Sequence, residues 1–308
     1  MWLILQLEQG EVVFTNRAEI DAFTLQLKQA VPADDTVRML RLNRELCSSD
    51  YLDKPEQGIA YANQFIASLD AQQDVVNLSH FYLCRAQHYA SQNRRKEQEQ
   101  DLVKALELAN QSEDPFTQAA MLSGKAEMYS ARGQHADSLV LLFKAHDLYK
   151  KLGHRYGIGS SVENIATAFR RMGEYEKAIE YLDLSEKEFA APGDQYRLGF
   201  LLQQKAFVYG ELGKPDIAKQ LFNRVRQIYQ QIDEPTFVTA TDVDLMWIAN
   251  MEQRYSDSLE LADKVTAQLA GYQQKGQGQQ VINQGLFYLY RAEALEGSGN
   301  LAESLLLF

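Results

Sequence analysis

The chain has 308 residues, of which 45% are hydrophobic and 24% are charged. Its 31 basic and 42 acidic residues give a formal net charge of −11, which argues against nucleic acid or an anionic membrane surface as a partner. The charged residues are interspersed along the sequence, so most of them are expected on the solvated faces of helices. The hydrophobic fraction is large enough to bury a sizeable core.

The first 35 residues are predicted to form a separate N-terminal segment. The apolar run at residues 2–7 is too short for a signal peptide or a membrane span, and it has neither an adjacent basic region nor a small-residue cleavage site. Apolar side chains recur along residues 11–33, which predicts a helix that caps the repeats that follow.

From residue 36 onward the sequence repeats itself every forty residues. A seventh copy, at Gly299, is displaced by six residues because residues 271–280 form an insertion. Self-similarity at this length predicts helical hairpins that stack, because none can bury its apolar face alone. Residues 36–308 are therefore predicted to form an all-α, right-handed helical-hairpin solenoid of about seven repeats, with about fourteen helices and no sheet. The turn positions of the first six repeats are Asp53, Asn93, Gly133, Gly173, Gly213 and Gln253.

Small residues recur at two positions of each repeat, one on either helix of the hairpin. Small side chains at facing positions let two helices approach closely, which predicts that both positions are buried. The position seven residues before the turn holds Leu46, Ala86, Ala126, Ala166, Ala206, Met246 and Ala292. The position five residues after the turn holds Gly58, Gln98, Ser138, Ala178, Ala218, Ser258 and Ser304, with Gln98 as the exception.

The prolines are compatible with the same hairpins. Pro55 and Pro215 are predicted to open second helices, where a missing N–H costs little. Pro115, Pro192 and Pro235 are predicted to lie in the turns between repeats, because proline interrupts a helix interior.

The last repeat is predicted to be incomplete. The sequence ends at Phe308, within the second helix of that repeat, and leaves the apolar residues 305–308 without a following element. Repeat arrays need a polar terminal cap. We therefore expect that the native protein continues into an effector domain or a membrane segment.

Two stretches carry a family signature, MLSGKAEMYSARGQHADSLVLLFKA and ENIATAFRRMGEYEKAIEYLDLS. The second combines a small residue, an aromatic, a turn glycine, a tyrosine two residues later and an alanine on the second helix. This pattern resembles the tetratricopeptide repeat over residues 39–308, and most clearly over residues 159–190. The period exceeds the usual length of about 34 residues, so each helix is expected to carry most of an extra turn. HEAT-like hairpins share the length but not the Gly-x-Tyr-x-x-Ala string.

No catalytic motif is present in the sequence. It contains no P-loop, zinc-protease helix or nucleophile elbow, so we expect no enzyme activity and no cofactor in these residues. His80, Cys84 and His88 are spaced four apart, but this spacing drifts around a helix and fits a third ligand poorly. We interpret them as a packed thiol with two ordinary imidazoles, and we predict no metal site.

The two cysteines of the chain are expected to lie close together. In the tetratricopeptide fold, Cys47 and Cys84 fall at places that line the concave surface of consecutive first helices. We predict that they approach each other but remain reduced, since two cysteines define no disulfide framework and bonding geometry is not written in a sequence. A disulfide would instead favour an oxidising compartment.

In this fold a ligand binds the concave groove, and repeat position predicts which side chains line it. Amides, hydroxyls and charged groups can hydrogen-bond an extended peptide, while Phe207 and Trp247 offer apolar pockets. We expect a peptide, a protein or a small molecule as the ligand, bound between repeats three and six. The Lys and Asn pair of chaperone-binding tetratricopeptide clamps is missing at the matching places. The predicted lining is Asn43, Arg44, Gln87, Glu127, Glu163, Asn164, Thr167, Arg170, Gln203, Gln204, Phe207, Asp244, Trp247, Asn250 and Tyr290.

Two functions fit these expectations. The pattern, including LNRELCSSDYLDKPEQGIAYA, resembles the repeat regions that precede a transmembrane helix and a GGDEF diguanylate cyclase domain in bacteria. That resemblance implies a non-catalytic sensory module in cyclic di-GMP signalling, periplasmic and attached to the inner membrane through a segment outside this sequence. The alternative is a cytoplasmic peptide receptor or interaction scaffold, similar to peptide-pheromone regulators. Such receptors carry an N-terminal effector domain that residues 1–38 do not fit. The sequence does not determine the oligomeric state.

Overall fold

The architecture is entirely α-helical in the part of the chain that a computed structural model describes, which is residues 40, 43, 44, 47, 54–189, 195–274 and 282–305. Residues 40, 43, 44 and 47 are helical, and thirteen helices follow within the described ranges, with no strand. The predicted helical-hairpin fold is therefore confirmed.

The capping helix predicted at residues 11–33 lies outside the described residues, and the right-handed superhelix stays a prediction. The helices are α1 Pro55–Ser68, α2 Val75–Ser91, α3 Arg95–Ser112, α4 Pro115–Ala131, α5 His135–Leu152, α6 Arg155–Arg171, α7 Tyr175–Phe189, α8 Gln195–Glu211, α9 Pro215–Gln231, α10 Pro235–Met251, α11 Tyr255–Gln274, α12 Gln284–Gly297 and α13 Leu301–Ser304.

The described helices fall into two compact units. Helices α1 to α6 belong to the first unit, which reaches Glu174, and α7 to α13 belong to the second, which begins at Tyr175. Within each unit the two helices of a repeat pack together, as α2 does with α3 and α8 with α9. The predicted boundary at residues 35 and 36 lies outside the described residues. No helix in the described ranges is both long and apolar enough to cross a membrane.

The turn inside each hairpin requires a left-handed backbone conformation. Gly133, Gly173 and Gly213 have φ angles of 77°, 77° and 75°, a region that glycine enters without a steric cost. Asn93 and Gln253 replace glycine at the equivalent positions and still adopt φ of 57°. The repeat period therefore reflects a backbone requirement, which the fold imposes even where glycine is absent.

The same left-handed turn recurs between repeats, and the sequence analysis did not anticipate it. Glu113, Gly153 and Asp233 lie twenty residues after a hairpin turn and have φ angles of 55°, 65° and 55°. After the last two, a backbone N–H closes the helix: His154 N donates to Tyr149 O at 3.0 Å and Glu234 N to Tyr229 O at 2.9 Å. Three of the forty-residue repeats thus contain two similar helix–turn units.

Four prolines occupy the same place in their helices. Pro55 and Pro215 are the first residues of the second helices α1 and α9, as predicted. The prediction that Pro115 and Pro235 lie in turns is wrong, because they are the first residues of α4 and α10. The N–H of a first helical residue has no intrahelical acceptor, so proline fits there. Pro192 lies outside the described residues.

The small residues at the hairpin positions are buried, as predicted. Alanines 86, 126, 166, 206 and 292 are at most 1% exposed, as are the small residues described at the facing position from Ser138 to Ser258. A serine in such a place needs a hydrogen-bond acceptor. In the first unit, Ser138 Oγ accordingly donates to the Ala126 carbonyl at 2.7 Å.

A buried carboxylate ties three helices together in the second unit. Asp242 of α10 has no solvent exposure. Its two oxygens lie 3.1 Å from Arg226 Nη1 of α9 and 2.7 Å from Lys264 Nζ of α11. Because an unpaired buried charge is strongly destabilising, this triad favours the arrangement in which α9, α10 and α11 meet.

Substitution of Gln253 by glycine is expected to stabilise the second unit by about 0.5–1 kcal/mol, since relief of left-handed strain outweighs the added freedom of the unfolded chain. The matched control is Gly213→Gln, which should lower stability by about 1 kcal/mol. A Cβ at Gly213 would meet no atom within 4 Å, so a loss there would come from the backbone alone. Urea denaturation followed by circular dichroism measures both. Equal stabilities for Gly213→Gln and the wild type would contradict the argument.

Candidate functional site

The first helices of the second unit bring polar side chains side by side. These helices are α8, α10 and α12, and equivalent positions on them are separated by one repeat. We call the surface that they form the first-helix face of the second unit. It consists of Gln203 and Phe207 on α8, Asp244, Trp247 and Asn250 on α10, and Tyr290 and Glu293 on α12.

Gln203 and Asp244 form the first contact on this face. Gln203 Nε2 donates a hydrogen bond of 2.7 Å to Asp244 Oδ2, which joins α8 to α10. Burial raises the pKa of the Asp244 carboxyl from 3.8 to about 7, although the hydrogen bond from Gln203 acts in the opposite direction. The carboxyl group therefore changes its protonation state near neutral pH, and with it the hydrogen bonds it can offer a ligand.

Asn250 forms the second contact, between α10 and α12. Its Nδ2 donates to the Tyr290 carbonyl at 2.8 Å and to Glu293 Oε2 at 3.1 Å. Its Oδ1 is buried and accepts no hydrogen bond from the described residues. A buried acceptor without a donor costs about 1–3 kcal/mol, so a ligand that displaces the atoms covering Oδ1 and supplies a donor there would gain affinity.

Tyr290 contributes a hydroxyl group that stays protonated at neutral pH. Burial, and then the charges of Asp244 and Glu293, raise the pKa of Tyr290 to about 12. The phenol can therefore donate a hydrogen bond throughout the range in which Asp244 titrates. The face thus combines an unmatched acceptor, a titrating carboxyl and a phenolic donor.

The two aromatic residues of the face pack against their own protein. The ring centroids of Phe207 and Trp247 are 5.9 Å apart, and both rings lie against a core cluster that contains Phe222. Trp247 also covers Gly210, where an added Cβ would lie 2.4 Å from Trp247 Cη2. Only part of each ring is therefore available to a ligand, and the apolar pockets expected at these residues stay a prediction.

Gly210 supports Trp247 from below and is not among the predicted groove residues. The equivalent positions hold Ser130, Arg170 and Asn250, so glycine at this place is a departure from the repeat. That departure is the signal that points to a close contact, because a glycine in a helix interior is unfavourable unless packing requires it.

The remaining predicted groove residues lie on first helices. Gln204 is partly buried on α8 of the second unit. In the first unit Asn43 Oδ1 accepts a 2.5 Å hydrogen bond from Tyr61 of α1, so Asn43 binds its own hairpin. The others lie as follows: Arg44 is partly buried, Gln87 on α2 and Glu127 on α4 are exposed, and Glu163, Asn164, Thr167 and Arg170 share one partly buried face of α6. A ligand-binding role for these residues stays a prediction.

The two histidines of α2 have different surroundings. His80 lies 3.4 Å from Thr117 Oγ1 and stacks on Phe116, both in α4. Burial, and then the charge of Arg44, lower the pKa of His80 to about 3, so its imidazole is neutral. His88 instead donates from Nε2 to the Cys47 carbonyl at 2.9 Å.

Cys47 and Cys84 form a disulfide bond, with 6.1 Å between their Cα atoms. The expected approach of the two residues is confirmed, but the expectation that they stay reduced is wrong. Both are buried beside Phe81, and their Cα separation permits a bond without backbone movement. Sequence position places them on adjacent helices, whereas bonding depends on where their side chains point.

One family model matches the sequence. Residues 117–187 match a tetratricopeptide repeat model, and this stretch begins in α4 and ends in α7. A comparison with curated proteins found no match.

Three solved structures are similar to this chain. A Rap protein complexed with competence and sporulation factor has 17% identity and a TM-score of 0.67, covering 99% of this chain and 84% of that one. Aspartyl phosphate phosphatase F from Bacillus subtilis has 13% identity and a TM-score of 0.60, covering 94% and 73%. A signal transduction ATPase with a tetratricopeptide repeat sensor, from Pyrococcus horikoshii, has 16% identity and a TM-score of 0.67, covering 99% and 46%. Identities this low establish a shared fold and no shared function.

Proposed function

We propose that this tetratricopeptide-type interaction module binds an extended peptide or protein segment on the first-helix face of the second unit. The observation that carries the proposal is the buried Oδ1 of Asn250, which accepts no hydrogen bond from the described residues. It lies on the same helix as Asp244, whose carboxyl changes protonation state near neutral pH. Polar groups held this way on three rigid helices are pre-organised for a ligand.

The chemistry of the face favours a ligand rich in hydrogen-bond donors. Asp244 and Glu293 are acidic, and the chain as a whole carries a net charge of −11. A peptide backbone supplies an N–H for Asn250 Oδ1 and a carbonyl for a phenolic donor such as Tyr290. A lysine or arginine side chain in that peptide would add attraction to the carboxylates.

Replacement of Asn250 by alanine is expected to weaken peptide binding about tenfold, because it removes the unmatched acceptor. The probe is the tightest binder selected from a displayed library of random linear peptides against the full chain, and fluorescence anisotropy gives its Kd. The control is Gln227→Ala, which removes an exposed amide from the second helix α9. Trp247 is a poorer target, since its loss would also uncover Gly210 and the core.

This comparison distinguishes a peptide bound to the first-helix face from one bound to the second helices. Circular dichroism must first show that both variants keep the helical content of the wild type. A peptide that loses affinity with Gln227→Ala and not with Asn250→Ala binds the second helices, and the proposed site would then be wrong.

We further propose that the module is the periplasmic sensory part of an inner-membrane signalling protein with a diguanylate cyclase as its output. The support is the resemblance of the sequence to such repeat regions, together with the Cys47–Cys84 disulfide, since disulfides persist in oxidising compartments. Expression of the complete protein in a bacterial host should raise cyclic di-GMP, and thiol alkylation in intact cells should find both cysteines bonded. Unchanged cyclic di-GMP would argue against the cyclase output.

A cytoplasmic peptide receptor or scaffold is the second candidate. The observation in its favour is the fold shared with the Rap protein, whose structure contains competence and sporulation factor. In this case the alkylation experiment should find both cysteines reduced in cells, because the cytoplasm keeps thiols reduced.

A further inference from the structure

Three potential metal ligands converge in the first unit, beside the disulfide. Cys47, Cys84 and His88 each offer one ligand atom, and these atoms all lie within 4.8 Å of one another. In a tetrahedral zinc site, metal–sulfur distances of about 2.3 Å and metal–nitrogen distances of about 2.0 Å place the ligand atoms about 3.5–4 Å apart. The three side chains are therefore close enough to share one ion after a small rearrangement.

The cluster is closed to solvent. Cys47, Cys84 and His88 are 0%, 1% and 3% exposed. Phe81 and Ala62 complete the same buried cluster, and Phe65 and Ile66 pack against it. Such an apolar surrounding limits the access of bulk solvent and controls the dielectric around a bound ion.

His88 occupies a position at which the five following repeats hold apolar residues, whereas the first repeat holds Ser48. Its imidazole has room only because residue 58, on the facing helix α1, is a glycine. A Cβ there would lie 2.1 Å from His88 Nε2, and the equivalent positions in the other repeats hold no glycine. Histidine and glycine thus depart from the repeat together, and the fold makes room for an imidazole beside the two cysteines. In the repeats that follow, the residues equivalent to His88 are Met128, Ala168, Val208, Ile248 and Ala294, all buried.

We propose that reduction of the Cys47–Cys84 disulfide creates a binding site for a thiophilic d10 cation, Zn²⁺, on Cys47, Cys84 and His88. In the first step the S–S bond breaks, and an external dithiol supplies two electrons and two protons while it forms its own disulfide. In the second step Zn²⁺ displaces the two thiol protons into solvent. Two zinc–sulfur bonds and one zinc–nitrogen bond form, and one water molecule enters with the ion to complete the four-coordinate site.

Charge favours a divalent ion at this site. Two thiolates and a neutral imidazole carry two negative charges, which Zn²⁺ neutralises, and a neutral assembly is far less costly to bury than a charged one. A monovalent ion would leave one uncompensated negative charge. The site is also mutually exclusive with the disulfide, because both use the same two sulfur atoms.

The proposed site differs from the group of three residues that the spacing within α2 brings to notice. His80, Cys84 and His88 do drift around α2, and His80 packs on α4 instead. The third ligand comes from Cys47, on a different helix, which the spacing within α2 does not reveal.

Cobalt binding tests the proposal with the full chain. The protein is treated with EDTA, reduced with a phosphine, desalted without oxygen and titrated with Co²⁺, which reports thiolate ligation by its sulfur-to-cobalt charge-transfer absorption. The reduced wild type should bind one Co²⁺, and Zn²⁺ should displace it. The oxidised wild type should show no such absorption, which controls for binding elsewhere without any substitution.

Two substitutions on α2 assign the ligands. His88→Val, which introduces the residue found at Val208, should weaken Zn²⁺ binding at least about tenfold in competition with a chromophoric chelator, since even outer-shell changes cost that much. The matched control His80→Asn should bind like the wild type. If circular dichroism shows that His88→Val does not fold, Cys84→Ser provides a second variant that removes a ligand.

Several outcomes would overturn the proposal. One is a reduced wild type with two titratable thiols and no cobalt–thiolate absorption. Another is equal Co²⁺ binding by the oxidised and reduced chains. A loss of affinity in His80→Asn as large as that in His88→Val would also reject the assignment. None of these results bears on peptide binding by the second unit.

Discussion

Reduction of the Cys47–Cys84 disulfide should lower the free energy of unfolding of the first unit by about 3–4 kcal/mol. The bond joins residues 37 positions apart, and closing a loop of that length removes conformational freedom from the unfolded chain. Urea denaturation with and without a phosphine reductant measures the effect. EDTA must be present in both arms, because Zn²⁺ bound by the reduced chain would offset part of the loss.

A double variant controls for side effects of the reductant. The chain with Cys47→Ala and Cys84→Ala should show a loss of stability in the same direction, and it should not respond to reductant. Thiol titration of the unfolded wild type should count no free thiol before reduction and two afterwards. If the urea midpoint of the wild type does not change while the number of free thiols rises to two, the loop-closure argument is wrong.

Replacement of Asp244 by asparagine should stabilise the second unit by about 1–3 kcal/mol at pH 8 and change little at pH 4. In the folded state the pKa of Asp244 is raised from 3.8 to about 7, so between these pH values the folded chain keeps a proton that the unfolded chain releases. The stability that depends on this proton is fully present below pH 4 and is lost as pH rises through 7. Asparagine stays neutral at every pH and still accepts from Gln203.

The partial exposure of Asp244 limits how much Asp244→Asn can stabilise the second unit. A pKa that rises by about three corresponds to about 4 kcal/mol in the free energy of unfolding. Solvent screening at the partly exposed Asp244 makes the expected value smaller. The control is Asp263→Asn, whose carboxyl on α11 is 80% exposed and should matter little at either pH. Urea denaturation at pH 4 and pH 8 gives the comparison. If Asp244→Asn changes the free energy of unfolding equally at both pH values, burial does not raise the pKa of Asp244.

Repeat position predicted which helices carry the residues of the candidate site. Gln203 and Asp244 are 41 residues apart, and Asn250 and Tyr290 are 40 apart. The first separation lies within one residue of the forty-residue period. Asn250 and Tyr290 do not occupy equivalent places in their repeats, because the insertion at residues 271–280 displaces the last repeat by six residues. The period therefore predicted which helices carry the site, although it predicted neither the pairs nor the atoms that meet.

The roles of the aromatic and amide side chains were not predictable in the same way. Trp247 covers Gly210, and Asn43 binds Tyr61 across its own hairpin. Both contacts depend on the rotation of a side chain about its helix, which a periodic pattern does not specify. The same limit explains why Asn250 Oδ1 is recognisable as an unmatched acceptor only when the neighbouring helices are in place.

The sequence by itself determined the helical hairpins of this protein, because each turn needs a left-handed residue and each close contact needs a small one. Gly213 and Ala206 meet these local requirements in one repeat, and the same two requirements recur forty residues apart. Only the tertiary structure decided that Cys47 and Cys84 are bonded and that Asp244 titrates near neutral pH. Bond formation and desolvation depend on distances between residues far apart in the chain, which become defined when the helices pack.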